Sequence, residues 1–63
     1  MTEQYQKGML IMQYLKELGT HPITVAIAVS NENYKKSYRI IQKNPSITKK
    51  EFLEKMQLVE AED

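Results

Sequence analysis

The sequence predicts a small all-α domain of four compact helices with a helix-turn-helix-like order. Three stretches place apolar residues at helical spacing, and helix start and stop signals separate them. The apolar stretch 23–29 has no second strand-like run elsewhere in the 63 residues with which to pair. We therefore expect one domain, 1–63, whose last few residues fray.

The first helix is expected to begin after Thr2, which can cap it, and to run to about Leu18, where Gly19 is a natural left-handed stop. Leu10 and Tyr14 lie one turn apart on the far side of this helix and predict a second contact surface, for a dimer or a protein partner. Six residues form a broad apolar arc that we expect to face the core: Tyr5, Met9, Ile11, Met12, Leu15 and Leu18.

A basic helix is expected over residues 31–44, capped by Ser30 or Asn31 and ended by Pro45. The segment 31–50 carries six Lys or Arg residues against Glu32 alone, which gives +5 in a chain of net charge +1. Such a segment is typical of a protein with an anionic partner, most often nucleic acid, although a solvated helix face has the same composition. The inner face of this helix carries Tyr34, Ser37, Tyr38 and Ile41.

The fourth helix has a clear start signal, because Thr48 and Glu51 form a capping box. Ile47 precedes the cap and can pack against Phe52 as a hydrophobic staple. The buried stripe of this helix is expected to comprise Phe52, Met56 and Val59, with Leu53 beside it.

The stretch ITVAIAVS, residues 23–30, is open to two interpretations. As a strand it alternates apolar and small residues, and its β-branched content is high. A lone strand leaves its backbone unpaired, so it would have to pair with a second chain. From Val25 the pattern VAIAVSNENYKK resembles the opening of Arc/MetJ-type ribbon-helix-helix repressors, which implies a dimer with residues 23–29 as an intermolecular strand. The outward-facing Ala26 and Ala28 cannot hydrogen-bond to a base edge.

As a helix, the same stretch begins with Pro22 in the first turn, where its missing N–H costs nothing. Thr20 or His21 lies near the cap. A two-turn helix, a break at residues 30–31 and the basic helix then give helix-turn-helix order. We predict the helix and keep the ribbon-helix-helix dimer as the alternative.

The stretch YRIIQKNPSITKKEFLEKM, residues 38–56, resembles the end of a lactose-repressor-type headpiece. Upstream the preceding helix is shorter than the family's pattern. The resemblance implies a helix-turn-helix DNA-binding domain with Arg39 as a DNA contact. The matching positions are Arg39, Ile40, Ile41, Pro45, Ile47 and Thr48, with Gln42 in place of the family's Asn.

Composition argues against several other classes of protein. The chain has no cysteine, and its only histidine, His21, lies beside a proline without a carboxylate pair, so we expect neither a metal site nor a cofactor. No serine has a histidine base in a known motif, and no glycine-rich phosphate loop exists, so an enzyme is not expected. No apolar run is long enough to span a bilayer, and we expect no membrane partner and a cytoplasmic location.

The sequence therefore predicts a small DNA-binding transcriptional regulator of bacterial, phage or plasmid type that binds double-stranded DNA as a homodimer. The alternative is a small protein-binding module, such as a phage-type inhibitor or antirepressor, that acts through a helical surface. The base-reading candidates are Asn31, Glu32, Asn33 and Lys35, and the phosphate-contact candidates are Lys36, Arg39, Lys43, Lys49 and Lys50. Leu10 and Tyr14 are the interface candidates.

Overall fold

The computed structural model describes residues 3–61 and confirms the predicted all-α fold of four helices. Helix α1 packs against α2 and α3, and α3 packs against α4. The expected cap at Thr2 lies outside the described residues. The helices are α1 (Glu3–Glu17), α2 (Pro22–Ala28), α3 (Tyr34–Lys43) and α4 (Lys49–Met56).

The core draws on all four helices and on the loop between α3 and α4. Phe52, Ile11 and Leu15 are its largest fully buried apolar side chains, and partly buried Tyr34 and Tyr38 pack against it. The nine buried apolar residues are Ile11, Leu15, Val25, Ala28, Ile41, Ile47, Phe52, Leu53 and Met56.

Helix α1 ends at Glu17, within one residue of the prediction, and Gly19 follows with φ 78°. The Thr20 amide donates to the Leu15 carbonyl at 3.0 Å, which closes the helix in a Schellman-type turn. The predicted apolar arc of α1 is only partly correct. Its exposed members retain 54%, 52% and 44% of their accessible surface, because α2 and α3 pack on the side of α1 that carries the buried residues; these members are Tyr5, Met9 and Met12.

Residues 22–28 form a helix, and the alternative of a ribbon-helix-helix strand is wrong. The Val25 amide donates to the His21 carbonyl and the Val29 amide to the Val25 carbonyl, both at 3.0 Å, so the backbone is satisfied within one chain. Of the two residues expected near the cap, Thr20 and His21, His21 is the N-cap, since its Nδ1 accepts from the Ile23 amide at 3.1 Å. No strand occurs anywhere in residues 3–61.

Helix α3 begins at Tyr34, three residues later than predicted, and neither Ser30 nor Asn31 is its N-cap. Asn33 occupies the cap position but makes no side-chain cap bond. The Ser30 carbonyl accepts from the Tyr34 amide at 2.9 Å, so residues 30–33 are needed for the turn that reverses the chain after α2. The helix ends at Lys43, just before the predicted stop at Pro45.

Helix α4 begins at the predicted capping box. Thr48 Oγ1 accepts from the Glu51 amide at 3.2 Å and donates to Glu51 Oε1 at 3.0 Å. The helix ends at Met56 because Gln57 adopts a left-handed conformation with φ 59°. Val59 therefore lies beyond the helix and is 87% exposed, so its expected place in the buried stripe is wrong.

The segment after α4 runs back to α2. The His21 amide donates to Glu60 Oε1 at 2.7 Å, and the Ala61 amide donates to Thr24 Oγ1 at 2.8 Å. Fraying was predicted for residues 61–63, but Ala61 is hydrogen-bonded to α2, and Glu62 and Asp63 lie outside the described residues. Among residues 3–61, no helix has both the length and the apolar character needed to cross a bilayer.

Candidate nucleic-acid interface

Helix α3 is fixed to the end of α2 by two side-chain hydrogen bonds. Ser37 Oγ donates to the Ala28 carbonyl at 2.9 Å, and Asn33 Nδ2 donates to the Ile27 carbonyl at 3.0 Å. Both carbonyls belong to the last turn of α2, where helical carbonyls have no partner within the helix. These bonds set the position of α3 and direct its opposite face to solvent.

The solvent face of α3 is basic. Lys35, Lys36, Arg39 and Lys43 are exposed, whereas Ser37 and Ile41 are buried, so the helix separates charge from core sharply. Within residues 3–61 no carboxylate forms an ion pair with these four cations. Their charge is therefore available to an anionic partner.

An open groove of about 440 Å³ runs along α3 beside α1; we call it the basic groove. Lys35, Arg39 and Lys43 line it, as the sequence predicted for a cationic face. No Asp or Glu lines this groove. Its full lining is Lys7, Tyr34, Lys35, Tyr38, Arg39, Gln42 and Lys43.

Lys7 is a member of the basic groove that sequence reasoning missed. Its Nζ lies 4.8 Å from the centroid of the Tyr38 ring, a cation–π distance, and 3.6 Å from Glu3 Oε1. Lys7 belongs to α1, and the sequence does not state which face of α1 meets α3. The one available signal was its place on the same side of the α1 wheel as Tyr14.

Three predicted phosphate contacts lie outside the basic groove. Lys36 is exposed on α3 but does not line the groove, and Lys50 is exposed in the first turn of α4. Lys49 is half-buried, and its Nζ lies 3.9 Å from Glu60 Oε1, so its charge faces the segment that follows α4.

Only one of the four predicted base-reading residues lines the basic groove. Lys35 lies in the first turn of α3 and lines the groove. Asn31 and Glu32 are exposed, and they belong to the turn before α3, not to the helix as predicted. Asn33 uses its side-chain amide to hold α2, since Nδ2 also lies 3.5 Å from Ser30 Oγ.

Leu10 and Tyr14, the predicted interface residues, differ in burial, and their role in a dimer or partner contact stays a prediction. Tyr14 packs against the core, and its hydroxyl lies 2.9 Å from the Pro45 carbonyl and 3.1 Å from the Ile47 carbonyl. The expectation that Tyr14 lies away from the core is wrong, because the loop between α3 and α4 crosses that side of α1. Leu10 is 41% exposed and lies beside Tyr38 of α3.

No protein-family model matches the chain, and no curated protein or solved structure is significantly similar to it. The function is therefore inferred from the geometry of the residues themselves.

Proposed function

We propose that this protein is a small DNA-binding transcriptional regulator of bacterial, phage or plasmid type that docks α3 on duplex DNA. The observation that carries the proposal is the basic groove, where four cations from two helices converge and no carboxylate lines the wall. Phosphate contacts provide most of the sequence-independent affinity of DNA-binding proteins, and they require such a surface.

The dimensions of α3 suit this role. An α-helix with its side chains is about 10–12 Å across, and the major groove of B-DNA is about 12 Å wide, so α3 can enter it. The order α2, turn, α3 supports the proposal, because the second helix of a helix-turn-helix motif reads the groove. The resemblance of residues 38–56 to a lactose-repressor-type headpiece concerns α3 and α4 and favours the same function.

Within this proposal, Lys7, Arg39 and Lys43 contact phosphates and fix the orientation of the helix. Lys35 and Gln42 are the side chains for base edges, because lysine pairs with guanine and glutamine with adenine in the major groove. The regulator would act in the cytoplasm, where the DNA of such organisms lies. Binding as a homodimer would present two copies of α3 to two half-sites.

The test is duplex binding measured by fluorescence anisotropy at low salt with a mixed pool of short DNA duplexes. We expect measurable affinity for the native chain and none for the double variant Lys35→Glu, Arg39→Glu. The matched control is Lys50→Glu with Lys55→Glu, which makes the same change in net charge outside the basic groove. The control is expected to lose far less affinity.

Two outcomes would overturn the proposal. The first is the absence of duplex binding by the native chain at about 50 mM salt, where electrostatic binding is strong. The second is an equal loss in the two double variants, since net charge alone would then account for the binding. If the chain does not bind DNA but binds an acidic protein through Lys35 and Arg39, it is the alternative that the sequence predicted, a protein-binding module.

A further inference from the structure

An apolar surface on the opposite side of α1 takes no part in the DNA contacts proposed above. Met12 and Val29 line both of the shallow grooves on this side, so the two grooves are continuous. One groove lies between α1, Val29 and Tyr34, and the other lies between α1 and α2. The three large apolar side chains that α1 contributes are 44–54% exposed. We call this surface the α1–α2 face: Tyr5, Met9, Met12 and Lys16 of α1 with Ala26 of α2.

The α1 part of this face is a single stripe with a symmetric spacing. Tyr5, Met9, Met12 and Lys16 follow one another at intervals of four, three and four residues, and all four are exposed. Intervals of three and four keep residues on one side of a helix. The intervals are the same in both chain directions. When two such stripes lie antiparallel, each of the four residues therefore faces a stripe residue of the other copy.

We propose that the α1–α2 face binds a second copy of this chain, with the two α1 helices antiparallel about a two-fold axis between Met9 and Met12. Each Met9 then lies opposite the partner copy's Met12, and each Tyr5 opposite the partner copy's Lys16. A two-fold interface needs this self-complementarity, because residue i must contact residue j and residue j must contact residue i.

The paired residues are chemically complementary. A lysine ammonium over a tyrosine ring is a favourable cation–π pair, and methionine adapts its shape to a facing apolar surface. Tyr5 and Lys16 are eleven residues apart on one helix, about 16 Å, so they cannot pair within one chain. Such a pair can form only between two copies.

Gly8 supports a close approach at this face. It lies inside α1 between Tyr5 and Met12 and lines the groove there, and an added Cβ would meet no atom within 4 Å. Glycine weakens a helix interior, and no contact within the described chain requires it. It leaves a depression that a side chain of the second copy can fill.

A weak dimer needs only a small part of the surface of the chain. Interfaces at the small end of the specific range bury about 600 Å² per partner, and this is about an eighth of the 4680 Å² surface of the chain. The dimer does not depend on DNA binding, and each can fail without the other.

The experiment measures the mass of the purified chain by sedimentation equilibrium from about 1 μM to 1 mM, the range in which weak dimers dissociate. The expected result is a reversible shift from 7.4 kDa to twice that mass. The double variant Met9→Ser, Met12→Ser is expected to stay monomeric. Both side chains are about half exposed and outside the buried core, so helicity by circular dichroism should be retained.

A charge-swap series tests the antiparallel register. Tyr5→Lys places two lysines opposite each other, and Lys16→Glu places a carboxylate over a tyrosine ring, so each is expected to raise the dissociation constant about tenfold. The combined variant forms a Lys–Glu pair at both ends and is expected to regain the native dissociation constant. Lys50→Glu, outside the face, is the control and should leave it unchanged.

Three results would overturn the proposal. The first is a native chain that remains monomeric at about 1 mM. The second is a dimer whose dissociation constant is unchanged by the methionine substitutions. The third is a Tyr5→Lys, Lys16→Glu variant that does not regain the native dissociation constant. A monomeric chain that still binds duplex DNA would reject the dimer and leave the proposed docking of α3 on DNA intact.

Discussion

Ser37 Oγ donates a hydrogen bond to the Ala28 carbonyl at 2.9 Å, and both residues are fully buried. This bond joins the third helix to the last turn of the second. The same hydroxyl lies 3.5 Å from Met56 Sδ, so the contact point involves α4 as well. The orientation of the basic face thus depends on one small polar side chain in the core.

Substitution Ser37→Ala is expected to lower the free energy of unfolding by about 1–3 kcal/mol, because the Ala28 carbonyl would be left buried without a partner. Urea denaturation followed by circular dichroism measures this change. Ser46→Ala is the matched control, since Ser46 is exposed and should change stability little. Equal effects of the two substitutions would contradict a role for the buried bond.

Tyr14→Phe removes the hydroxyl that holds the loop between α3 and α4. One proton is shared between the Pro45 and Ile47 carbonyls, so the loss is that of one hydrogen bond, about 1 kcal/mol. Hydrogen exchange of the amides of residues 46–48 should accelerate. Tyr34→Phe, whose hydroxyl makes no hydrogen bond within residues 3–61, should leave that exchange unchanged.

Lys7→Met tests whether α1 contributes to the basic groove. Four groove cations predict a slope of about −3.6 for log binding constant against log salt, at about −0.9 for each phosphate contact. The variant keeps the length of the side chain but not its charge, so the slope should become less steep by about 0.9. Lys50→Met is the control, and an identical slope for Lys7→Met and the native chain would remove Lys7 from the interface.

The two contacts of Glu60 differ in their expected contribution to stability. Its hydrogen bond with the His21 amide is short at 2.7 Å, whereas its distance to Lys49 Nζ is 3.9 Å and the pair is partly exposed. Glu60→Ala is therefore expected to cost about 1–2 kcal/mol of stability, and Lys49→Met less than about 1 kcal/mol. Glu60→Gln retains an acceptor for the amide and should fall between them. Thermal unfolding compares the three, and a larger effect of Lys49→Met would reverse this ranking.

The two glycines are expected to respond in opposite directions to alanine. Gly19 has φ 78°, so Gly19→Ala is strained and should cost about 1–2 kcal/mol. Gly8 has open space around it in a helix, so Gly8→Ala should stabilise the isolated chain by up to about 1 kcal/mol. Urea denaturation at a concentration where the chain is monomeric measures both, and changes of the same sign would contradict the glycine conformations described above.

Local signals in the sequence predicted helix ends correctly where a residue or motif favours a single backbone conformation. Gly19 stops α1, and the Thr48 capping box starts α4, because these effects act within one turn of backbone. The start of α3 was misplaced, since Ser30, Asn31 and Asn33 are all acceptable caps. Only the turn after α2 selects among them.

The stretch 23–29 shows why the sequence pattern was compatible with both a strand and a helix. Ile23, Val25 and Ile27 alternate as in a strand, yet the helix buries Thr24, Val25 and Ala28 and leaves the two isoleucines exposed. Which side is buried depends on where α1 and α3 lie, and no local pattern contains that information. The same holds for Lys7 and Tyr14, whose neighbours come from distant segments of the chain.

The contacts of the segment after α4 have a consequence for the order of folding. Residues 60 and 61 meet residues 21 and 24 across 39 and 37 positions of sequence. A helix of seven residues such as α2 is too short to persist alone in water. We therefore expect α2 to become stable late, after α1, α3 and α4 have assembled and the segment after α4 has closed over its first turn.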